Sequence, residues 1–528
     1  MNESDGRRGS TWAPLRHSPF RELWLAQLAS NVGTWMQTDG AQWLMLSLNR
    51  SPLMVALVQT AISLPVVLLA LPAGALGDIL DRKRLLITSQ VMALLAAGVL
   101  AALTLGDLIG AWGLLGLTFA VGVGDALRRP AWQAVQPDLV PRAEIPQAAA
   151  LNSANMNVGR ALGPALGGAL VAVAGPGWVF LANAVSYFGV LVVLAVWRSE
   201  REESALGPER VGAAVRAGAR FARSSPRLRA VLVRTGLFLA FASALWSLLP
   251  IVASDRLHLG SGGYGLLLGS VGVGAVAGAG LLPAIRARRS LDGMLAVATA
   301  AFAGSALVLA LVPVELPVLL ALLVAGMAWI TVLAGLTGSA QTILPSWVRA
   351  RGMALFLLVF HGGQAGGAVL WGVVANGSGV KVAFAAVAGG LMVGLVAVPR
   401  YPVRSGEDLD LRPSGHWEEP QLALDREPGQ GQVLVTVEYR VDPENHAEFR
   451  EAMQAVGRVR RRSGASRWSL FQDAADPDRF VEAFLVPSWE EHLRQHERVT
   501  VADRRFEERA RALLADGARP KVSHLLST

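Results

Sequence analysis

The sequence predicts an all-α polytopic membrane protein of two related six-helix bundles, followed by a small α+β domain. Three observations lead there. Apolar residues make up 52% of a 528-residue chain that is only 17% charged, and they gather in long blocks between Arg21 and Pro399. Each block reaches the roughly 20 residues that an α-helix needs to cross about 30 Å of hydrocarbon. Cationic side chains collect in alternate connections between the blocks, and the composition changes abruptly after Tyr401.

Twelve spans are expected: Arg21–Leu48, Leu53–Gly77, Leu85–Leu105, Ala111–Leu127, Gln147–Ala174, Trp178–Trp197, Leu228–Ala253, Gly262–Ile285, Leu291–Val312, Leu316–Ala340, Met353–Ala375 and Val380–Val398. The connections on one side carry Arg16, Arg21, Arg82, Lys83, Arg84, Arg128, Arg129, Arg142, the block Arg198–Arg229, Arg286, Arg288, Arg289, Arg349, Arg351, Arg400 and Arg404. Those on the other side carry little beyond Arg50, Arg256 and Lys381. By the positive-inside rule both termini are expected in the cytoplasm. The net charge of +8 is thereby a matter of topology, and no nucleic-acid partner is expected. The first block is too long for a signal peptide, holds Asn31, Gln37 and Asp39, and lacks a small-residue cleavage site. With no Cys, disulfides and thiol chemistry are excluded.

The longest basic connection, Arg198–Arg229, splits the spans six and six. The expected organisation is a bundle at 1–197, a linker at 198–227, a second bundle at 228–400, a linker at 401–431 and a soluble domain at 432–528. Within the first linker, Val211–Ala222 interleaves Arg216 and Arg220 with Val211, Val215 and Phe221, a pattern for a basic amphipathic helix. The halves are weakly alike. Gly159, Gly163, Gly167 and Gly168 in span five echo Gly362, Gly363, Gly366 and Gly367 in span eleven, as expected of a parallel six-plus-six repeat.

Ionisable groups inside spans are costly and point to function. Asp39, Asp125, Arg160 and Arg234 are of this kind. Asp39 or Asp125 is a candidate for proton exchange, with Arg160 tuning it as a partner, whereas Arg234 lies nearer the edge and is expected to snorkel. Trp35, Gln37, Trp43, Gln59, Asn155, Asn183, Gln341, His361 and Gln364 are candidates to line a large, partly apolar cavity. Amides in such helices also serve as interhelical ties. There is no phosphate-binding G-x-x-x-x-G-K-[ST] loop, so an ion gradient rather than ATP is the expected energy source.

Two strings carry a family resemblance. Gly74-Ala-Leu-Gly-Asp78-Ile-Leu-Asp81-Arg82-Lys83-Arg84 follows span two, and Gly159-Arg160-Ala-Leu-Gly163-Pro164-Ala-Leu-Gly167-Gly168 lies in span five. The first resembles the signature loop of the major facilitator superfamily, and the second resembles the motif of its exporter and antiporter branch. Gly33-Thr-Trp-Met-Gln37, Arg129-Pro130-Ala-Trp-Gln-Ala134 and Leu151-Asn152-Ser153 are similar to the enterobactin-exporter-like branch, which includes macrolide-efflux-like proteins. The resemblance covers essentially the whole membrane region and implies the six-plus-six major facilitator fold. It also implies a conformational latch at Gly74, Asp78, Arg82, Arg128 and Arg129, in which Asp78 faces the positive N-terminus of span eleven. The second-half copy of the loop, Ala284-Ile-Arg286-Ala-Arg288-Arg289, lacks the acid, so a symmetric second latch is not expected. In span five, glycines four apart line one helix face and Pro164 removes a backbone donor; the resemblance implies that this helix biases transport toward export.

After a Pro-, Gly- and acid-rich stretch at Ser405–Gly431, residues Gln432–Tyr439 alternate as a strand. Helix Glu444–Arg462, strands Ser466–Gln472 and Arg479–Val486, helices Trp489–Arg498 and Val501–Leu514, and strand Lys521–Leu526 complete a β-α-β-β-α-β order, which suggests a ferredoxin-like domain. The string from Ser488 to Asp503 looks like the tail of the transmembrane secretion effector family, whose fold resembles dimeric α/β barrels. A dimerisation or regulatory module is therefore expected, a homodimer through this domain being the partner the first of these implies. His492 and His496 share a helix face, but H-E-x-x-H is absent and no metal or other cofactor is expected.

The expected function is secondary active, proton-coupled export of a siderophore, antibiotic or other medium-sized amphipathic compound, not enzymatic, in the inner membrane. The partners are then the lipid bilayer, protons and the small-molecule substrate. The alternatives are a nutrient importer of the same fold, or an enzyme or sensor anchored by its membrane part.

Overall fold

A computed structural model describes residues 12–79, 82–135, 139–196, 218, 220–417 and 431–527, with the side chains of 70–79, 82, 130, 131, 133, 134, 142, 161 and 397 excepted. Among the described residues twelve helices of 15 residues or more precede a four-stranded sheet. They are α1 (Ser18–Leu48), α2 (Pro52–Ile79), α3 (Arg82–Leu105), α4 (Ala111–Val135), α5 (Ile145–Ala174) and α6 (Pro176–Val196), then α7 (Pro226–Ile251), α8 (Ser261–Arg288), α9 (Leu291–Leu311), α10 (Glu315–Ile343), α11 (Ser346–Ser378) and α12 (Val380–Gly394). Nine of the described helices, α2, α3 and α5–α11, are long and apolar enough to cross a membrane. The expectation of twelve spans is met only in part. Helix α12 has 15 residues, short for a membrane crossing. Helix α1 is diluted by polar side chains, and these turn inward: Gln27, Ser30, Gln37, Asp39 and Gln42 are all buried.

The chain divides into two compact units, and the division does not follow chain order. The first comprises Met1–Val211, Val233–Leu336 and Phe356–Pro402, and holds the helix bundles. Within it α1 packs on α5 and α6, α3 on α4 and α6, and α5 on α8 of the other half. The second half has an aromatic core, in which Phe238 meets Phe302 at 5.4 Å and Trp246 meets Trp329 at 5.3 Å. Arg234 does not snorkel. It is buried and pairs with Asp292, at the start of α9, at 3.3 Å, an arrangement that stops a buried charge from going uncompensated.

The second unit comprises Gly212–Leu232, Thr337–Leu355 and Val403–Thr528. Its sheet is built from β1 (Val433–Arg440), β2 (Arg467–Gln472), β3 (Arg479–Val486) and β4 (Lys521–Leu526), in the order β2-β3-β1-β4 with every neighbour antiparallel. Helices α13 (His446–Ser463), α14 (Trp489–Arg498) and α15 (Val501–Arg511) supply the other elements. Strand alternation places Val433, Val435, Val437 and Tyr439 in the core with Phe449, Met453, Phe480 and Phe484. Phe471, at the sheet's edge, is 57% exposed.

The stretch read as a linker after Tyr401 is in part a strap. Val501 and Ala502 donate backbone bonds to the carbonyls of Arg412 and Asp410, and Ser414 donates to that of Val499. Residues 418–430 of that stretch, and 211–217 and 219 of the amphipathic helix expected at Val211–Ala222, lie outside the described residues. Within the strap, the Trp417 ring lies 4.7 Å from the buried Arg460 guanidinium. Arg460 bridges Glu482 at 3.0 Å and Glu507 at 2.6 Å. Tyr439 and Trp468 donate to Glu482, and Trp417 donates to Glu507, so each buried carboxylate is satisfied several times over. Burial raises Glu507, but the charge of Arg460 and the bonds from His416 and Trp417 outweigh it and hold the carboxyl at about 2.

Beside this cluster stand three histidines. The His492 ring lies 4.9 Å from that of His496 and 4.8 Å from that of His524, yet no three such groups among the described residues are placed to hold a metal. Burial, reinforced by the neighbouring histidines, lowers His492 to about 3. Burial and the charges of His524 and Arg460 lower His496 to about 4. Both folded values lie below the ordinary 6.5. The unfolded chain thus takes up more protons as pH falls, and the stability these groups support is full above about pH 6.5 and lost toward pH 3 to 4. The full-length protein is expected to show a falling melting temperature of the soluble unit between pH 7 and pH 4.5, with a shallower slope in H492Q. A melt independent of pH in that window would contradict the assignment.

Candidate functional site

Helix α1 is the spine of the site. Gln27, Asn31, Thr34, Thr38 and Gln42 recur every three or four residues, which places them along one face. Asn31 donates to Asn155 Oδ1 at 2.8 Å, and Asn155 donates to the Trp24 carbonyl, tying α1 to α5. Thr34 meets the Tyr187 hydroxyl at 3.1 Å, and Asn183 donates to Gln37 Oε1 at 2.5 Å, tying α1 to α6. In a lipid-facing bundle such ties are the alternative to unsatisfied polar groups.

Asp39 borders this face, one turn before Gln42, at 6% exposure, and among the described residues its Oδ2 has no hydrogen-bond partner. The partners proposed for it and for Asp125 are engaged elsewhere. Asp125 accepts from Arg128 and from Arg129, three and four residues on along its own helix. Arg160 lies 5.3 Å from the Trp35 ring, and among the described residues its buried Nε has no hydrogen-bond partner. Neither Asp39 nor Asp125 pairs with Arg160 among the described ion pairs. Arg128 and Arg129, expected in the latch, are the residues that close on Asp125. The other latch residues, Gly74, Asp78 and Arg82, have side chains outside the described residues.

The glycines of α5 are seated against backbone. A Cβ on Gly159 would lie 3.0 Å from Asn31 Cβ, and one on Gly167 would lie 3.0 Å from Met36 Cα; Gly163 is pressed on the Cβ of Trp35. Gly168 turns to the other half, where an added Cβ would stand 2.6 Å from Gly265 Cα of α8. Pro164 is inside the helix. In the second half Gly363 and Gly367 of α11 press on α7 at Leu239 and Ala240, and Gly372 meets Ala56 of α2. Two small-residue seams, α5 on α8 and α11 on α2, thus join the halves.

Near these seams the halves share a polar gate. Tyr264 of α8 donates to Gln42 Oε1 at 2.8 Å, Gln42 reaches Gln59 Oε1 at 3.4 Å, and Gln59 donates to Ser63 at 3.2 Å. The Tyr264 ring stacks on Trp43 with centroids 5.6 Å apart. Ser51 donates to Asn376 Oδ1 at 2.9 Å, and Thr60 donates to the Ala365 carbonyl at 3.1 Å. The end of the bundle where α1 turns into α2 is therefore closed across both halves.

Of the expected cavity residues, Trp35, Gln37, Trp43, Gln59, Asn155 and Asn183 fall in this α1-centred network. His361 of α11 has a buried Nδ1 with no hydrogen-bond partner among the described residues, and Gln364 is half-buried one turn along. Gln341 belongs to the second unit, where it lines a cleft with Thr342, Arg349 and Glu407, because α10 runs on past the bundle. Gln42, Ser63 and Tyr264 were not anticipated. The recurring polar stripe of α1 points to Gln42, but nothing near Tyr264 marks a partner 222 residues away.

The family profile described as transmembrane secretion effector matches residues 9–528. Multidrug efflux pump Tap of Mycolicibacterium fortuitum is 27% identical over 72% of this chain and 96% of its own length. The staphyloferrin A transporter of Staphylococcus aureus is 30% identical over 30% of this chain and 40% of that protein. Enterobactin exporter EntS of Citrobacter koseri is 28% identical over 50% of this chain and 62% of its own length. The match thus spans less than two thirds of either of the last two proteins. Among solved structures, nucleoside transporter NupG superposes with a TM-score of 0.57 at 13% identity, covering 73% of this chain and all of that one. A bacterial homologue of the human lysosomal transporter Spinster, in an inward-facing conformation, gives 0.56 at 15% identity over 74% and 96%. At these identities the structures speak to fold alone. The chain belongs to the transmembrane secretion effector family of the major facilitator superfamily, whose members are multi-pass membrane transporters of small molecules and not enzymes.

Proposed function

We propose that the protein is a proton-coupled exporter of a medium-sized amphipathic compound, such as a siderophore or an antibiotic. It would work by alternating access between two six-span bundles of a twelve-span chain, in the inner membrane with both termini cytoplasmic. The observation that carries this reading is Asp39: a buried carboxylate with one unpartnered oxygen, on the polar face of the helix that also holds the gate glutamine. A proton there cancels a charge that the surroundings leave uncompensated, and its release restores that charge. Asp125, held by two arginines on its own helix, is the weaker candidate for exchange. Two efflux or export proteins among the relatives, Tap and EntS, and the glycine-proline motif of α5 support the outward direction. The soluble domain is read as ferredoxin-like from its element order and sheet order, and its partly apolar open face suits a second copy of the chain.

Coupling is tested in everted vesicles with a candidate substrate. An acid-inside gradient is expected to drive accumulation in the parent and in D125N, and D39N is expected to lose that uphill uptake, tenfold or more on the scale of about 1.4 kcal/mol per decade. Full accumulation by D39N would contradict the coupling role of Asp39; accumulation driven only by the opposite gradient would favour an importer.

Alternation is tested at the gate. Because the chain has no Cys, the pair S51C/N376C can be cross-linked alone. Oxidation is expected to stop transport and reductant to restore it, since that end would no longer open. Unimpaired transport through a fully cross-linked protein would rule the gate out.

A further inference from the structure

We propose that the soluble domain is a clamp on the transport cycle, gripping the segment that joins the two halves against the start of α11. The proposal rests on the alternating-access reading, and its basis is a three-part junction within the second unit. The joining segment contributes Gly218, Arg220 and Phe221, the start of α11 contributes Trp347 and Arg351, and the soluble domain contributes Arg462, Glu491 and Arg498.

Glu491 is the centre. It lies in the first turn of α14, whose N-cap Ser488 accepts from the Glu491 backbone, a position that favours a carboxylate. That carboxylate takes both terminal nitrogens of Arg498, at 2.6 and 3.3 Å, and is also reached by Arg220 Nη2 at 3.4 Å. Arg498 in turn lies 4.8 Å from the Trp347 ring and donates to the Ser463 carbonyl at 3.0 Å. Phe221 meets Trp347 edge-on at 5.9 Å, and the Arg462 guanidinium covers its other side at 5.4 Å. Gly218 is close enough to the start of α11 that a Cβ there would lie 3.2 Å from Arg351 Cβ. One carboxylate therefore serves arginines from two segments, and one indole serves a ring and a cation from two others. If Glu491 is neutralised, Arg220 and Arg498 are left facing one another as like charges.

A second set of contacts holds the neighbouring ends. Arg227, in the first turn of α7, makes a two-pronged pair with Asp408 at 2.7 and 2.9 Å. Ser339 near the end of α10 donates to the Arg404 carbonyl, and Gly406 donates to Thr342 Oγ1. The strap thus binds α7 and α10 while the domain binds α11. Helix α11 is also the one whose glycines press on α7 in its own half and on α2 in the other. An element fixed at its start by the soluble domain and seated farther along on the opposite half transmits the state of one to the other. The junction is formed in the same structure in which the gate at Gln42 and Tyr264 is closed, so the clamp is assigned to the gate-closed state. Loosening it should shift the population toward the open gate.

The test reads gate opening directly, without a known substrate or coupling ion. In full-length protein carrying S63C, at a side chain buried in the closed gate, the rate of labelling by a membrane-impermeant maleimide reports exposure at the gate. E491A and R220A, which break the same contact from opposite sides, are each expected to raise that rate about fivefold. The double variant is expected to do no more than E491A alone, as for residues sharing one interaction. E491D is expected to keep the parent rate, and a parent-like elution profile in detergent separates release from misfolding; R220A leaves the domain's core untouched. A rate unchanged in both single variants overturns the clamp, as does the absence of labelling in all of them. A raised rate in E491A and R220A together with failed gradient-driven transport would leave the clamp standing and count against the exporter reading instead.

Discussion

Everything in the membrane part depends on one close approach. Helix α5 lies so near α1, and again so near α8, that a Cβ at Gly163 or Gly168 would force its neighbours to shift, and one at Gly159 or Gly167 would meet α1 at 3.0 Å. Lipid offers no hydrophobic drive for helices to pair, so van der Waals contact between backbones has to supply it. The seam has two consequences. It holds the polar face of α1 inside the bundle, where amides from α5 and α6 can satisfy it. It also sets α8 at the distance where Tyr264 can reach Gln42. The pseudo-equivalent seam, Gly372 of α11 against α2, repeats the contact between halves from the other side. A joint made of backbone contacts and a few hydrogen bonds buries little that resists separation, which suits an interface that must open.

The two halves divide the chemistry unequally. The first carries the amides and Asp39, and the second is filled by Phe238, Phe302, Trp329 and Trp246. The soluble unit differs again, for its apolar core also holds an ion network of Arg460 with Glu482 and Glu507, satisfied by Tyr439, Trp468, His416 and Trp417. Two of those side chains, His416 and Trp417, come from the strap rather than from the domain's own helices and strands. The strap is thus part of the domain's core, and the helix ends it binds are part of the same unit. That arrangement explains why compactness does not follow the order of the chain.

Much of this was legible in the sequence because hydrocarbon thickness and helix rise fix the length of a span, and strand alternation marks each strand of the soluble sheet. The helices fall within a few residues of the expected spans except at α4, which runs on from Leu127 to Val135, and at α11, which starts at Ser346 rather than Met353. Three things were not legible. Asp125 reads naturally as a partner for Arg160 on a neighbouring helix, yet Arg128 and Arg129 at i+3 and i+4 need no tertiary contact to reach it. Residues after Tyr401 have the Pro, Gly and acid content of a tether, but backbone bonds to the α14–α15 connection are invisible to composition. The Gln42–Tyr264 bond joins helices from different halves, and a single sequence holds no trace of so distant a pairing.

In the proposed cycle the two halves rock against one another, opening one end as the other closes. Spin labels on a chain without native Cys measure this directly by pulsed dipolar spectroscopy, with N49C/S378C at the gate end and R84C/R289C at the other. On acidification a new, longer distance is expected at the gate end and a new, shorter one at the opposite end, in matching proportions. Distances at both ends that stay single and unchanged, or that lengthen together, would contradict it.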